Sequence, residues 1–141
     1  MCEVKKDPPP VRRKLPETRQ AVTHEFNIAG HEGYLTVGLF EDGTPGELFI
    51  TMAKEGSTIG GFLDTIAMLT SLSLQHGVPL ELLVKKFVRM RFEPSGFTAN
   101  RDIRNAPSIT SYIFSWMGNE FIPGYKQANQ PPNQPELSSS S

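Results

Sequence analysis

The sequence has few of the residues on which redox and metal chemistry usually depend. The chain of 141 residues has one cysteine, Cys2, and three histidines. One cysteine forms no internal disulfide, no dithiol redox centre and no cysteine metal cluster. None of the histidines has a ligand-like spacing to another histidine, cysteine or acidic residue, so no zinc site is predicted. We therefore expect no metal site and no catalytic residues in this chain.

A strong net charge and a long apolar run are missing as well. Fourteen Lys and Arg residues against fifteen Asp and Glu give a net charge of −1, which argues against nucleic acid as a partner. No apolar run approaches the roughly 20 residues of a membrane helix. The first 14 residues lack the apolar stretch of a secretory signal. These absences predict a cytoplasmic protein without a membrane segment.

Both ends have the composition of disordered segments. Residues 1–20 combine basic residues with a run of three prolines, which favours a disordered arm. The run VRRKLPETR leaves open a second interpretation, a docking arm for an acidic or nucleic-acid surface. Residues 123–141 are predicted to be a disordered low-complexity tail. The folded domain is then expected over residues 21–122, which is long enough for one hydrophobic core.

The middle of the chain begins with three segments that alternate like β-strands. Val22, His24, Phe26 and Ile28 alternate with other residues, and apolar residues recur at every second position in residues 35–39 and 48–52, as in half-buried strands. The sequence DGTPG at residues 42–46 separates the second and third segments and is typical of a hairpin turn. The pattern predicts a three-stranded antiparallel meander with one apolar face.

Three later segments follow the helical period and are expected to cover that face. Ser57 is the predicted N-cap of the first helix and Gly77 its C-terminal stop, and Pro79 and Pro107 open the second and third helices. The predicted fold class is α+β, with about three helices packed on one face of the sheet. The apolar stripes are Ile59, Phe62, Leu63, Ile66, Leu69 and Leu72 in the first helix, Leu82, Leu83 and Phe87 in the second, and Ile109, Ile113, Trp116 and Met117 in the third.

The glycine-rich start of the first helix, KEGSTIGG at residues 54–61, is a candidate anion site. A helix N-terminus offers free N–H groups, and glycine lets a phosphate come close. Lys54, Ser57 and Thr58 would contact the ligand. The segment matches neither a P-loop nor the dinucleotide fingerprint. A structural interpretation therefore stays open, in which Gly60 and Gly61 let a strand pack closely.

The arginine-rich segment 89–105 is the second candidate. Arg89, Arg91, Arg101 and Arg104 offer donors for phosphate or carboxylate groups. In the alternative interpretation, acidic residues of the same segment, Glu93 and Asp102, pair with these arginines. Convergence of Lys54, Ser57, Arg89 and Arg91 in space would make a nucleotide or phosphate site credible.

Several runs of the sequence together resemble a known family. They are RRKLPETR, GHEGYLTVGLFEDGTPGELFI, MAKEGSTIGGFLDTIAMLTSLSLQHGVPLELLVKKFVRMRFEPSG and NAPSITSYIFSWM. The stretch from about residue 12 to residue 117 is similar to the C-terminal domain of adenosylcobalamin-dependent (class II) ribonucleotide reductases, the domain called TSCPD. The family makes deoxyribonucleotides for DNA synthesis.

The resemblance implies a role beside a reductase rather than a complete enzyme. The family carries out its chemistry in an α/β barrel with radical and redox cysteines, and this chain has neither. Three positions that hold cysteines in many TSCPD domains correspond here to Thr58, Phe92 and Ala106. The implied partner is a catalytic reductase chain, or a second copy of this chain. Adenosylcobalamin would belong to the parent enzyme, and this chain is expected to bind no cofactor and to be inactive alone. The alternative is a free-standing nucleotide-binding regulatory or protein-interaction module.

Overall fold

The computed structural model of the chain describes residues 11–129. The described elements are β1 (Ala21–Ile28), β2 (His31–Leu39), β3 (Pro45–Met52), α1 (Ser57–Gln75), α2 (Leu80–Phe87), β4 (Gly96–Phe97), β5 (Asn105–Ala106), α3 (Ile109–Phe121) and α4 (Tyr125–Ala128). The first three strands form one antiparallel sheet in the order β1-β2-β3, and β4 pairs with β5. The predicted α+β class and the three-stranded meander are confirmed.

Two compact units make up the described residues. The first contains residues 11–24 and Tyr34–Pro79, and the second contains Glu25–Gly33 and residues 80–129. Helix α1 belongs to the first unit, and α2, α3 and α4 belong to the second. The predicted domain limits at residues 20 and 122 stay predictions, and residues 1–10 and 130–141 lie outside the described residues.

The turn between β2 and β3 has the structure that its sequence predicts. The Phe40 N–H donates to the Thr44 carbonyl at 2.8 Å, and Gly43 has a φ of +85°. The Asp42 carboxylate accepts from the Thr44 N–H at 3.0 Å and from the Thr44 hydroxyl at 2.6 Å. Hydrogen bonds from Thr44, and then from Arg13, lower the pKa of Asp42 to about 2.

Residues 11–20 contain neither helix nor strand, yet they are bonded to the first unit. The Arg13 N–H donates to the Gln75 carbonyl at 2.7 Å, and the Arg12 side chain donates to the Gln75 side chain at 2.7 Å. Arg19 forms a salt bridge with Glu47 at 2.5 Å. This described half of the predicted arm therefore runs along α1 and β3.

Helix α1 lies along the open edge of the sheet. Since β3 is an outer strand, half of its backbone groups have no strand partner. Ser71 of α1 accepts a hydrogen bond from the Leu48 N–H at 2.8 Å, and its own hydroxyl lies 2.8 Å from the Ala67 carbonyl. The buried Gln75 amide donates to the Gly46 carbonyl at 2.9 Å. Side chains of α1 thus take the place of a fourth strand.

This arrangement corrects the predicted apolar stripe of α1. Leu63 is buried as predicted, together with Ala67 and Leu74, but most of the stripe faces away from β3. Because the side of α1 that faces the strand edge carries polar groups, part of its apolar surface points outward. The exposed apolar residues of α1 are Ile59, Phe62, Met68, Leu69 and Leu72.

The ends of α1 agree with the sequence only in part. Gly56, not the predicted Ser57, occupies the N-cap position, and no side chain caps the helix. At the other end Gly77 has a φ of +90°, and the N–H groups of Gly77 and Val78 donate to the carbonyls of Leu74 and Ser73. This Schellman pattern needs a left-handed residue, so Gly77 ends the helix as predicted.

By length and composition alone, α1 would pass as a membrane-crossing helix, with 22% of its apolar window buried. The sequence-based expectation that no segment reaches this length is therefore qualified. A single helix of this kind is weak evidence of a membrane span, since core helices of soluble proteins pass the same test.

Helix α3 forms the core of the second unit. It is buried on nearly all sides, including the predicted Ile109, Ile113, Trp116 and Met117. The Tyr112 ring lies 5.5 Å from Phe26, and the Phe114 ring lies 5.3 Å from Phe87. Burial raises the pKa of Tyr112.

Helix α2 departs from its predicted stripe. It buries Leu80 and Val84, whereas the predicted Leu82 is exposed and Phe87 is only partly covered. The two buried positions are four residues apart, so they lie on the same side of the helix.

The contact between Ser71 and Leu48 predicts that two serine-to-alanine variants of α1 differ in stability. Ser71→Ala removes the acceptor of a strand-edge N–H group and should lower the free energy of unfolding by about 1–3 kcal/mol. Ser73→Ala is the matched control, because the Ser73 hydroxyl bonds only the Leu69 carbonyl within α1; it should change stability by less than about 0.5 kcal/mol. Urea unfolding of both variants measures the difference. Equal effects would contradict the proposed role of Ser71.

Candidate functional site

The glycine-rich start of α1 is an exposed helix N-terminus, the feature that an anion site of this kind requires. Lys54, in a left-handed conformation with a φ of +62°, precedes the helix. The side chains of Lys54, Ser57 and Thr58 are exposed. The first turn of α1 carries no acidic residue, and the first bond within the helix start is from the Gly60 N–H to the Gly56 carbonyl at 3.0 Å. The N–H groups of residues 57–59 belong to the first turn, which lies at the positive end of the helix dipole.

Close packing does not explain the two glycines in this segment. A Cβ atom added at Gly60 or at Gly61 would meet no atom within 4 Å. The structural interpretation, in which a strand packs against them, is therefore wrong. Gly46 shows what such packing looks like, since a Cβ there would lie 2.8 Å from Leu15 and from the Phe40 ring.

A cavity in the second unit contains one of the predicted arginines. Its volume is about 360 Å³, and it is lined by Glu81, Val84, Lys85, Val88, Arg89, Ile122, Tyr125 and Asn129. The volume is at the lower end of the range of small-molecule sites. Two basic side chains, one acidic side chain, one aromatic ring and one amide line it, and the excess of one positive charge suits a phosphate or nucleotide fragment.

Hydrogen bonds from serines at the start of α3 fix the backbone on both sides of Arg89. The Ser111 hydroxyl donates to the Val88 carbonyl at 2.5 Å, and the Ser108 hydroxyl donates to the Met90 carbonyl at 2.6 Å. Ser108 also caps α3 by accepting from the Ser111 N–H at 3.0 Å. The carbonyls on both sides of Arg89 are thus fixed by the start of a buried helix.

The opposite wall of the cavity comes from α4. The Tyr125 ring packs over Gly118, where a Cβ would lie 2.7 Å from the ring. Burial raises the pKa of Tyr125, so its hydroxyl stays protonated and can donate a hydrogen bond at neutral pH. Lys126 on the same turn pairs with Asp102 at 3.0 Å. This ion pair holds the one-turn helix to the arginine-rich segment.

The acidic residues of the arginine-rich segment do not pair with its arginines. Asp102 bonds Lys126, and Glu93 accepts from the Ser95 N–H at 3.2 Å. Within residues 11–129, no salt bridge involves Arg89 or Arg91. The alternative interpretation, an internally paired loop, is therefore wrong. The segment also contains β4 and β5.

The five predicted site residues fall into two groups. Lys54, Ser57 and Thr58 lie in the first unit, and Arg89 and Arg91 lie in the second. Arg89 lines the cavity, and Arg91 is exposed beyond it. Nucleotide binding by either group stays a prediction.

Sequence reasoning missed the other polar residues of the cavity. Lys85 precedes Arg89 by four residues, a spacing that places two side chains on one helix face, and this spacing is visible in the sequence. Tyr125 and Asn129 carry no such signal, because they fall in a segment with the composition of a tail. Within residues 11–129, no group of three or more His, Cys, Asp or Glu residues is arranged to hold a metal ion.

Comparison with known proteins decides the family. The TSCPD domain model matches residues 6–121. The chain belongs to the TSCPD domain family. No solved structure matches it.

Relatives of this TSCPD domain are much longer proteins named vitamin B12-dependent ribonucleotide reductase. The one from Rhodopirellula baltica is 59% identical over 115 residues, which cover 82% of this chain and 11% of that protein. The one from Streptantibioticus cattleyicolor is 46% identical over 114 residues, covering 81% of this chain and 19% of the relative. The chain thus spans a small fraction of the length of these relatives.

Alanine at the two open glycines should stabilise the TSCPD domain. Gly60→Ala and Gly61→Ala each remove backbone freedom from the unfolded chain without a clash and should raise the free energy of unfolding by about 0.5–1 kcal/mol. Gly46→Ala should instead lower the free energy of unfolding by roughly 1–3 kcal/mol, because the new methyl group would overlap the Phe40 ring. Thermal unfolding of the three variants tests the ordering. Loss of stability at Gly60 and Gly61 would show that they are packed after all.

Proposed function

We propose that this TSCPD domain acts beside the catalytic part of a vitamin B12-dependent ribonucleotide reductase, as an accessory domain or small subunit, and reduces no ribonucleotide by itself. The observation that carries the proposal is the 59% identity to a relative of which the domain makes up 11%. Identity this high over 82% of the chain supports a shared role, and the small coverage means that most of that relative has no counterpart in these residues.

The chemistry of the reaction supports this division. Replacing the 2′-hydroxyl group of a ribonucleotide by hydrogen consumes two electrons, which a pair of thiols supplies when it is oxidised to a disulfide. The chain holds one cysteine, Cys2. A single thiol cannot form an intramolecular disulfide, so the reducing thiols must come from another part of the enzyme or from another protein.

The cavity of the domain does not fit the cobalamin cofactor of the parent family. A volume of about 360 Å³ suits a fragment or a small metabolite, and a corrin ring with its nucleotide tail is much larger. The described residues that line it offer no histidine to coordinate cobalt. We therefore assign the cofactor to the catalytic part of the reductase.

Complementation of a shortened relative tests the accessory role. The Rhodopirellula baltica reductase would be produced without the segment that matches this domain, and ribonucleotide reduction would be measured with adenosylcobalamin and a dithiol. We expect reduced activity of the shortened enzyme and recovery when the 141-residue chain is added. The chain alone should show no turnover.

Two results would contradict the proposal. Turnover by the chain alone, in a preparation free of reductase, would show that it is catalytic. If the shortened enzyme is fully active and the added chain changes nothing, the domain has no accessory role in ribonucleotide reduction.

A second candidate function, nucleotide binding, is favoured by the cavity of the second unit. Lys85 and Arg89 offer two positive charges against the one negative charge of Glu81, and the cavity also holds Tyr125 and Asn129. A phosphate group would bind the cations by charge-assisted hydrogen bonds, and a base or ribose would lie against the ring. Such a site would report nucleotide levels to the catalytic part.

Thermal shift measurements test this candidate. A nucleotide at about 100 times its dissociation constant stabilises the folded state by about 2.7 kcal/mol, so the melting temperature should rise by several degrees. Arg89→Ala and Lys85→Ala should each abolish the rise. Arg104→Ala is the matched control, since Arg104 is exposed and does not line the cavity. If the nucleotide still raises the melting temperature of both cavity variants, the nucleotide does not bind in the cavity. Lys54→Ala would then test binding at the start of α1.

A further inference from the structure

Helix α1 has apolar residues on two sides, and only one side is covered. Leu63, Ala67 and Leu74 pack toward β3 and are buried, whereas Phe62, Met68 and Leu69 are 65%, 64% and 59% exposed. A contiguous apolar surface on a helix of a soluble protein commonly marks an interaction site. The outward side of α1 is therefore a surface that needs a cover.

The outward residues have the spacing of a helix–helix seam. The exposed Ile59, Phe62 and Leu69, with the half-buried Ile66 between the last two, follow one another at intervals of three, four and three residues, which is the a/d repeat of coiled-coil packing. Leu72, three positions after Leu69, extends the same side. We call these five residues the outer seam of α1.

The outer seam is large for an uncovered surface. Side chains of this size with about half of their surface exposed add up to on the order of 500 Å² of apolar area, near the upper limit for the largest patch of a monomer. A specific interface buries about 800 Å² per partner. The outer seam therefore supplies more than half of the area that one partner of a stable dimer contributes.

We infer that the outer seam binds the outer seam of a second copy of this chain. A two-fold interface brings the same patch of both copies together, so a patch that carries charge would repel itself. Asp64 is the one charged residue of α1. It lies about 200° around the helix from Phe62 and about 80° from Leu72, the seam residue nearest to it in angle, and so lies outside the seam. Two copies can therefore meet here without facing like charges.

The chemistry around the seam also suits a second helix. Gly61 lies on the outward surface, and a Cβ added there would meet no atom within 4 Å. A small residue beside an apolar seam lets a partner helix come close, and the side chains of one helix then fit between those of the other. Self-association through the outer seam goes beyond the proposed reductase role and does not depend on it.

Sedimentation equilibrium of the full chain tests the inference. We expect a concentration-dependent mass that reaches twice the chain mass of 15.7 kDa. Phe62→Glu and Leu69→Glu should each weaken the dimer by roughly 30-fold or more, the loss expected at an interface hot spot. Both positions are exposed and glutamate is a good helix former, so the variants should keep the far-UV circular dichroism of the parent chain.

Phe97→Glu is the matched control. Phe97 is 81% exposed and lies in β4, outside α1, so its replacement should leave the dimer unchanged. A wild-type chain that stays monomeric at the highest attainable concentration would overturn the inference, and that result does not depend on any variant. A dimer that survives Phe62→Glu and Leu69→Glu would overturn it as well. Flotation of a monomeric chain with phosphatidylcholine vesicles, lost in the same variants, would assign the seam to a lipid surface instead.

Discussion

The hydrogen bonds between α1 and the edge of β3 are the constraint on which the first unit depends. Ser71 accepts from the Leu48 N–H, and Gln75 donates to the Gly46 carbonyl while also holding Arg12 and Arg13. These contacts close an open strand edge, which would otherwise pair with other chains. They also determine the rotation of α1, because the polar side must face the strand. The exposure of Phe62 and Leu69 follows from that rotation.

In the second unit, buried serines bond backbone groups in a similar way. Ser108 and Ser111, at the start of α3, bond the carbonyls of Met90 and Val88. The hydroxyl groups of these buried serines need acceptors, and the acceptors are the backbone carbonyls on both sides of Arg89. The same contacts that satisfy α3 therefore position the cation that lines the cavity. The backbone geometry beside this cavity is thus a consequence of how α3 begins.

The sequence predicts the strands, the hairpin at Asp42 and the stop at Gly77, because these depend on local turn chemistry and alternation. It predicts the burial of Ile113 and Met117, since α3 is apolar on most sides. It cannot predict which side of α1 is buried, because that helix carries two apolar surfaces and its polar contacts are with a strand distant in sequence. Lys85 has a readable spacing to Arg89, whereas Tyr125 acquires its place only through tertiary contact with Gly118.

The orientation of α1 against the sheet edge is tested most directly by amide exchange at Leu48. We predict slow exchange of the Leu48 N–H in the native chain, measured by NMR, and much faster exchange in Ser71→Ala, because the hydroxyl of Ser71 is the acceptor of that N–H. An outer-strand amide without a partner would exchange rapidly in both proteins. Rapid exchange of Leu48 in the native chain would mean that α1 does not cover the strand edge, and the assignment of its outer seam would fail with it.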